Sequence, residues 1–123
     1  MRRLKVWHRL KKSYYENEWQ DLVSQCADRK LWPEIMNKAD QLTSKALKKK
    51  GYKGKSTGER LVSAQHDLSL NDAVWFSHKY VTKLNEAQVD IRKLKKNDVM
   101  LVLAGFKRAL KDLGAFKEKT DEQ

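Results

Sequence analysis

A single cysteine, Cys26, is all the thiol in this 123-residue chain. That excludes an internal disulfide framework and a cysteine-based zinc site, both of which need several thiolates at fixed spacing. One proline and five glycines are too few for the turn-dense sequence of a sandwich or small barrel, and they point to long helices joined by few breaks. The longest uninterrupted apolar run, Val99 to Gly105, falls far short of the roughly 20 residues that cross a bilayer, so an integral membrane protein is not expected. The start Met1-Arg2-Arg3-Leu4-Lys5 has the charge of a signal-peptide leader. Trp7-His8-Arg9-Leu10-Lys11-Lys12 then stands where its apolar stretch should follow, so the expectation is a cytoplasmic chain without a leader.

What remains suits one helical domain. Hydrophobic residues at 40% supply a core, and charged residues at 35% leave a heavily solvated surface. The length fits a single domain over residues 1–116 with a frayed, polar tail at 117–123. Acid is scarce: 27 Lys and Arg against 16 Asp and Glu give a net charge of +11. Residues 1–60 hold 16 basic and 7 acidic side chains (+9), and residues 61–123 hold 11 and 9 (+2), so the excess lies in the first half. A field of that sign draws polyanions, chiefly nucleic acid or an anionic membrane surface. The bland reading of the same charge is a soluble basic surface.

Apolar periodicity places the helices. Leu4, Trp7, Leu10, Tyr14 or Tyr15, Trp19, Leu22 and Cys26 recur every three or four positions, which predicts one long helix over about 4–26. The core helices follow over about 32–114. Pro33 marks the start of the second, because its missing N–H has no partner in a first turn anyway. Ile35, Met36, Ala39, Leu42, Ala46 and Leu47 form its stripe, Lys45, Lys48, Lys49 and Lys50 oppose the negative end of its dipole, and Gly51 stops it. A short third helix is expected from Thr57 to about Leu68 with Leu61, Val62, Gln65 and Leu68 inward. A fourth is expected from Ala73 to about Ala87, bearing Val74, Trp75, Ser77, His78, Val81, Leu84 and Asn85 on its buried side. Val89 to Lys96 reads as a basic loop. The last helix, capped by Asn97 or Asp98, carries Val99, Val102, Leu103, Phe106, Leu110 and Leu113 and ends at Gly114. The expected fold is all-α, a bundle of four to five mostly antiparallel helices.

Gly51 to Gly58 is the one glycine-rich stretch. It contains Gly54-Lys55-Ser56, but Gly51 lies only three residues earlier and no strand precedes it, so the spacing of a Walker phosphate loop fails. Ser56 and Glu59 fit a capping box instead. His8, His66 and His78 fall on three separate helices with no metal-ligand spacing, so neither a metal nor a cofactor is expected. Seven cations, Lys45, Lys48, Lys49, Lys50, Lys53, Lys55 and Arg60, crowd sixteen residues around one helix end and loop. With Arg2, Arg3, Lys5 and Arg9 of the Arg2 to Lys12 stretch, they are the candidate contacts to a polyanion. Only Tyr52 interleaves that cluster, so neither base stacking nor sequence reading is expected there. Trp7, Tyr14 and Trp19, on the aromatic side of the first helix, are the candidates for docking a protein partner or a second copy.

Three segments, Ala39-Asp40-Gln41-Leu42, Gly51 to Leu61, and Asn71-Asp72-Ala73-Val74-Trp75-Phe76-Ser77-His78-Lys79, resemble a group of small bacterial helical proteins related to HEPN domains. The likeness covers roughly residues 19–114. It implies an all-α bundle, RNA as the class of partner, and a tendency to dimerise. In HEPN ribonucleases an Arg and a polar residue precede a His by four to six positions. Carried over, those positions fall on Val81-Thr82 and Glu86, so the catalytic pair is absent. Neither Lys83 nor Glu86 replaces an Arg fork and a neutral-pH imidazole. Looser Arg–His spacings, Arg60 with His66 and Arg2 or Arg3 with His8, arise by chance in so basic a chain. The expectation is a non-catalytic HEPN-like module that binds RNA or another polyanion through its lysines. The alternatives are a protein-interaction or homo-oligomerisation module and, below both, a ribonuclease using His66 or His78.

Overall fold

The computed structural model describes residues 9–117, and these form five α-helices joined by short connections. They are α1 (Lys12–Ser24), α2 (Trp32–Lys49), α3 (Thr57–Ser63), α4 (Asn71–Asn85) and α5 (Lys96–Asp112). Three single 3-10 turns, Arg29–Leu31, Gln65–Asp67 and Ile91–Lys93, sit in the links, and no strand occurs among the described residues. Arg2, Arg3, Lys5, Trp7 and His8 lie outside the described residues, as does the chain after Lys117.

Side-chain bonds fix the directions of the helices. The Tyr14 hydroxyl meets Lys45 near one end of the α1/α2 pair, and the Trp32 indole N–H donates to the Cys26 carbonyl at the other (2.7 Å), so these helices run antiparallel. Asn37 and Asn85 exchange reciprocal amide bonds of 3.0 and 2.9 Å, which set α4 antiparallel to α2. Between α4 and α5 the Ser77 hydroxyl donates to the Val102 carbonyl, and the N–H and hydroxyl of Ser69 both donate to Asp112 at 2.8 Å.

The stripes of α2 and α5 are buried throughout, with Ile35, Met36, Leu47, Phe106 and Leu110 among the largest fully enclosed side chains. These two helices form the centre against which the others pack.

Three helices stop by one device. In α2 and α5 a glycine takes a left-handed conformation, Gly51 at φ +94° and Gly114 at φ +83°. The next residue, Tyr52 or Ala115, then donates its N–H back to the carbonyl of Leu47 or Leu110 while burying its side chain. Helix α4 ends the same way at Ala87, φ +61°, with Gln88 donating to Lys83 at 2.8 Å.

Several expectations are corrected. Helix α1 is described from Lys12 and ends at Ser24, because its last N–H groups pass into 3-10 bonds such as Cys26 to Val23 before Asp28 caps the following turn. Helix α3 is a single capped stretch that breaks after Ser63. Val62 is 52% exposed and Gln65 is exposed, while Ala64 takes the inward position. Helix α4 begins at Asn71, and Asn85 is exposed, held by Asn37 rather than by burial. The basic link after α4 contains a 3-10 turn capped by Asp90, with Leu94 buried behind it. Helix α5 starts at Lys96, one residue before the expected cap, and Asp98 lies in its first turn. At the start of the expected tail, the Lys117 N–H donates to Glu16 and Phe116 packs on Trp19, while residues 118–123 of that tail lie outside the described residues.

Candidate nucleic-acid interface

The C-terminal end of α2 supplies the site's scaffold. Its Gly51 stop turns the chain into the segment 52–56, which would be a loose lysine-rich loop if nothing held it. Tyr52 is buried and its hydroxyl donates to Asp67 at 2.6 Å. The Ser63 hydroxyl donates to the Lys53 carbonyl at 2.7 Å. Ser56 caps α3 by accepting from the Glu59 N–H, and the Glu59 carboxylate accepts from the Lys55 N–H at 2.7 Å. This is the expected capping box displaced by one residue, since Glu59 reaches past Ser56 to its neighbour.

Behind the loop, α3 is pinned to α2 and α4. The Thr57 hydroxyl donates to Ser44 at 2.8 Å. Asp40 and His78 meet at 3.3 Å through the imidazole Nδ1, both largely buried, while Nε2 and the edge of Trp75 face Gly58. Segments 39–42, 51–61 and 71–79 therefore come together here. Lys53 and Lys55 stand exposed on a loop fixed at both ends, which lowers the ordering cost of binding.

Lys50 is the lysine of the cluster whose titration its neighbours perturb. Its ammonium is half-buried, and its pKa is pushed below the ordinary lysine value, first by burial and then by the nearby charge of Lys12. Asp67 draws it back upward, and Arg9 presses it down again. The basic start of the chain thus meets the lysine cluster at one end of the bundle. Lys12 is itself fixed there, since its Nζ donates to the Gly114 carbonyl at the end of α5 (2.6 Å). In the sequence Lys12 is no more than part of a basic stretch. Its place beside Lys50 depends on the antiparallel pairing of α1 with α2, which spacing along the chain does not encode.

The structure separates other candidates from this centre. Lys45 is exposed, but its Nζ bonds the Tyr14 hydroxyl at 2.6 Å and lies 4.5 Å from the centre of that ring, along the α1/α2 groove that Glu18 and Asp21 also line. Lys48 and Lys49 are exposed on the last turn of α2. Arg60 is half-buried in α3.

The aromatic docking candidates change character. Trp19 is only 7% exposed because its ring packs on Phe116 and the core, and Tyr14 is half-buried by its edge contact with Tyr15 and its bond to Lys45. Neither presents a free aromatic face. Val81 is fully buried, and Thr82 and Glu86 are exposed, with the Thr82 hydroxyl donating to the His78 carbonyl of its own helix. His66 is exposed in its 3-10 turn.

Among the described residues no group of three or more His, Cys, Asp or Glu is placed to hold a metal ion. No helix among them is long and apolar enough to cross a membrane. Compared with protein-family models, with curated proteins and with solved structures, the chain finds no match.

Proposed function

We propose that this chain is a non-catalytic RNA-binding module, HEPN-like in character, that holds phosphate groups at the end of the bundle where α1 begins and α2 stops. The observation that carries the reading is the convergence of Arg9, Lys12 and Lys50. The charges of the exposed Arg9 and Lys12 bear on the half-buried Lys50, and Asp67, the carboxylate that draws on it, already accepts the Tyr52 hydroxyl. Such crowding disfavours the empty state, and a phosphodiester relieves it. Lys48, Lys49, Lys53 and Lys55 extend the field around that point. Charge alone supports a polyanion. RNA is chosen among polyanions on the resemblance of the three segments, and the absence of catalysis on Val81, Thr82 and Glu86 standing at the positions of the ribonuclease pair.

The test is a fluorescence-anisotropy titration with single-stranded RNA, hairpin RNA and duplex DNA at two salt concentrations. The expected dissociation constants are of order 10⁻⁴ to 10⁻⁶ M at physiological salt and weaken steeply as salt rises. Charge reversal at Lys48, Lys49 and Lys50 together is expected to flatten the salt slope by roughly 0.7 for each phosphate of a single strand that these lysines no longer neutralise. A triple variant that binds with the wild-type slope, or no binding at low salt, refutes the proposal. RNA that is cut during the titration refutes its non-catalytic part.

A further inference from the structure

Helix α1 packs closely on α2 and only loosely on α5, and the gap leaves an open groove of about 430 Å³ on the face between α1 and α5. Two ridges line it: Trp19 and Val23 from α1 with Cys26 from the turn just after it, and Met100, Leu103 and Ala104 from α5. The floor is apolar, and large side chains stand open in it without a partner, Val23 at 44% and Met100 at 37% exposure. Antiparallel ridges at positions three, four and seven apart are the surface against which a further helix packs in a bundle.

The charges at its ends differ from its floor. Lys96 and Lys107 line the groove from α5, and neither makes a hydrogen bond or ion pair among the described residues. They are eleven positions apart, about 16 Å along the helix axis. That separation brackets three apolar anchors of a docked helix at i, i+4 and i+7, which span about 10 Å. We propose that this groove docks an amphipathic helix of a partner protein whose apolar stripe is flanked at both ends by acidic residues. The apolar floor takes the stripe, and the two free ammonium groups take the flanking carboxylates. A second copy of this chain, with its net charge of +11, lacks that complementarity.

The probe is a labelled synthetic helix with Leu at i, i+4 and i+7 and Glu at both ends, titrated against the full chain by anisotropy. A scrambled peptide of the same composition and a version with Lys at both ends serve as comparisons. Binding of the acid-flanked helix is expected to be at least about tenfold tighter than that of either comparison peptide. Ala104 is exposed at the groove. Ala104→Trp fills it from the surface and is expected to remove this preference while leaving RNA binding and the circular-dichroism spectrum unchanged. The double variant Lys96→Glu with Lys107→Glu is expected to favour the Lys-flanked peptide.

Equal binding of the ordered and scrambled acidic peptides, untouched by Ala104→Trp, would assign them to the basic end and overturn the proposal. So would sedimentation showing a dimer that Ala104→Trp disperses, since the groove would then belong to a second copy.

Discussion

Ser77 of α4 and Gly105 of α5 meet where the two helices pack together, with no room between them for a side chain at position 105. The Ser77 hydroxyl carries one proton and donates it to the Val102 carbonyl at 2.7 Å, the shorter of its two carbonyl contacts, the other being Ala73 at 3.1 Å. A Cβ at position 105 would overlap both the Ser77 Oγ and the Ala73 carbonyl oxygen. Gly105 is therefore required by the crossing rather than by its backbone, in spite of its cost within a helix. Gly105→Ala is expected to destabilise the fold by roughly 3 kcal/mol, since the helices must separate to admit the methyl group. Ser77→Ala, which loses one hydrogen bond, is expected to cost about 1 kcal/mol. Urea unfolding of both variants checks the ordering, and a Gly105→Ala midpoint near that of the wild type would contradict it.

Ala87 holds a conformation that costs a side-chain-bearing residue on the order of 1 kcal/mol and a glycine almost nothing. Ala87→Gly is thus expected to stabilise the protein by about 0.5 to 1 kcal/mol, less the added freedom of the unfolded chain. The site is exposed and lies at the far end of α4 from the basic loop, so RNA affinity should not move. A fall in melting temperature for this variant would show that α4 ends differently.

Lys50→Gln removes the ammonium that Lys12 and Arg9 crowd. Stability at low salt is expected to rise by about a few tenths of a kcal/mol, and the difference should close at high salt as the repulsion is screened. RNA binding should weaken in the same variant. Thermal unfolding at two ionic strengths, run beside the anisotropy titration, reads both effects. A variant that loses stability at low salt would mean that Lys50 is held by attraction to Asp67 rather than pressed by its neighbours.

Alkali is expected to weaken the fold. Burial raises the pKa of Cys26, against the pull of Lys96, and burial also raises Tyr15 and Tyr80, aided by Tyr14 and Asp98 respectively. The folded state holds these three protons more tightly than the unfolded chain. Their contribution is complete below the ordinary values of 9.0 for the thiol and 10.0 for the phenols, and it is lost as pH rises through the folded values. Lys50 acts in the opposite sense, because its folded pKa is lowered and its penalty lifts once the amine is neutral. Urea midpoints between about pH 8 and pH 10.5 should fall, less steeply in Tyr15→Phe and more steeply in Lys50→Gln. A midpoint that is flat or rising over that range would contradict the assignment.

Local sequence sufficed for the helices and their apolar faces. The stripes of α2 and α5 are local periodicities, and every residue assigned to them is buried. Pro33, Gly51 and Gly114 act through their own backbone constraints, so their punctuation was legible without neighbours. The stop at Ala87 was not, because alanine gives no sign that the chain will turn left-handed there. Helix α3 was overextended because its break after Ser63 comes from packing and not from a Gly or Pro. The lysine cluster could be seen as a run of charge. Tertiary packing alone determined which cations share a field: it drew Lys45 away to Tyr14 and brought Lys12 and Arg9 to Lys50, residues distant in the chain. It likewise packed Trp19 on Phe116, so that its ring lines the groove between α1 and α5 and does not stand free on one helix. Periodicity reports which face of a helix is apolar, whereas the position of that face against another helix is set by long-range contacts such as Ser77 with Val102 and Asn37 with Asn85.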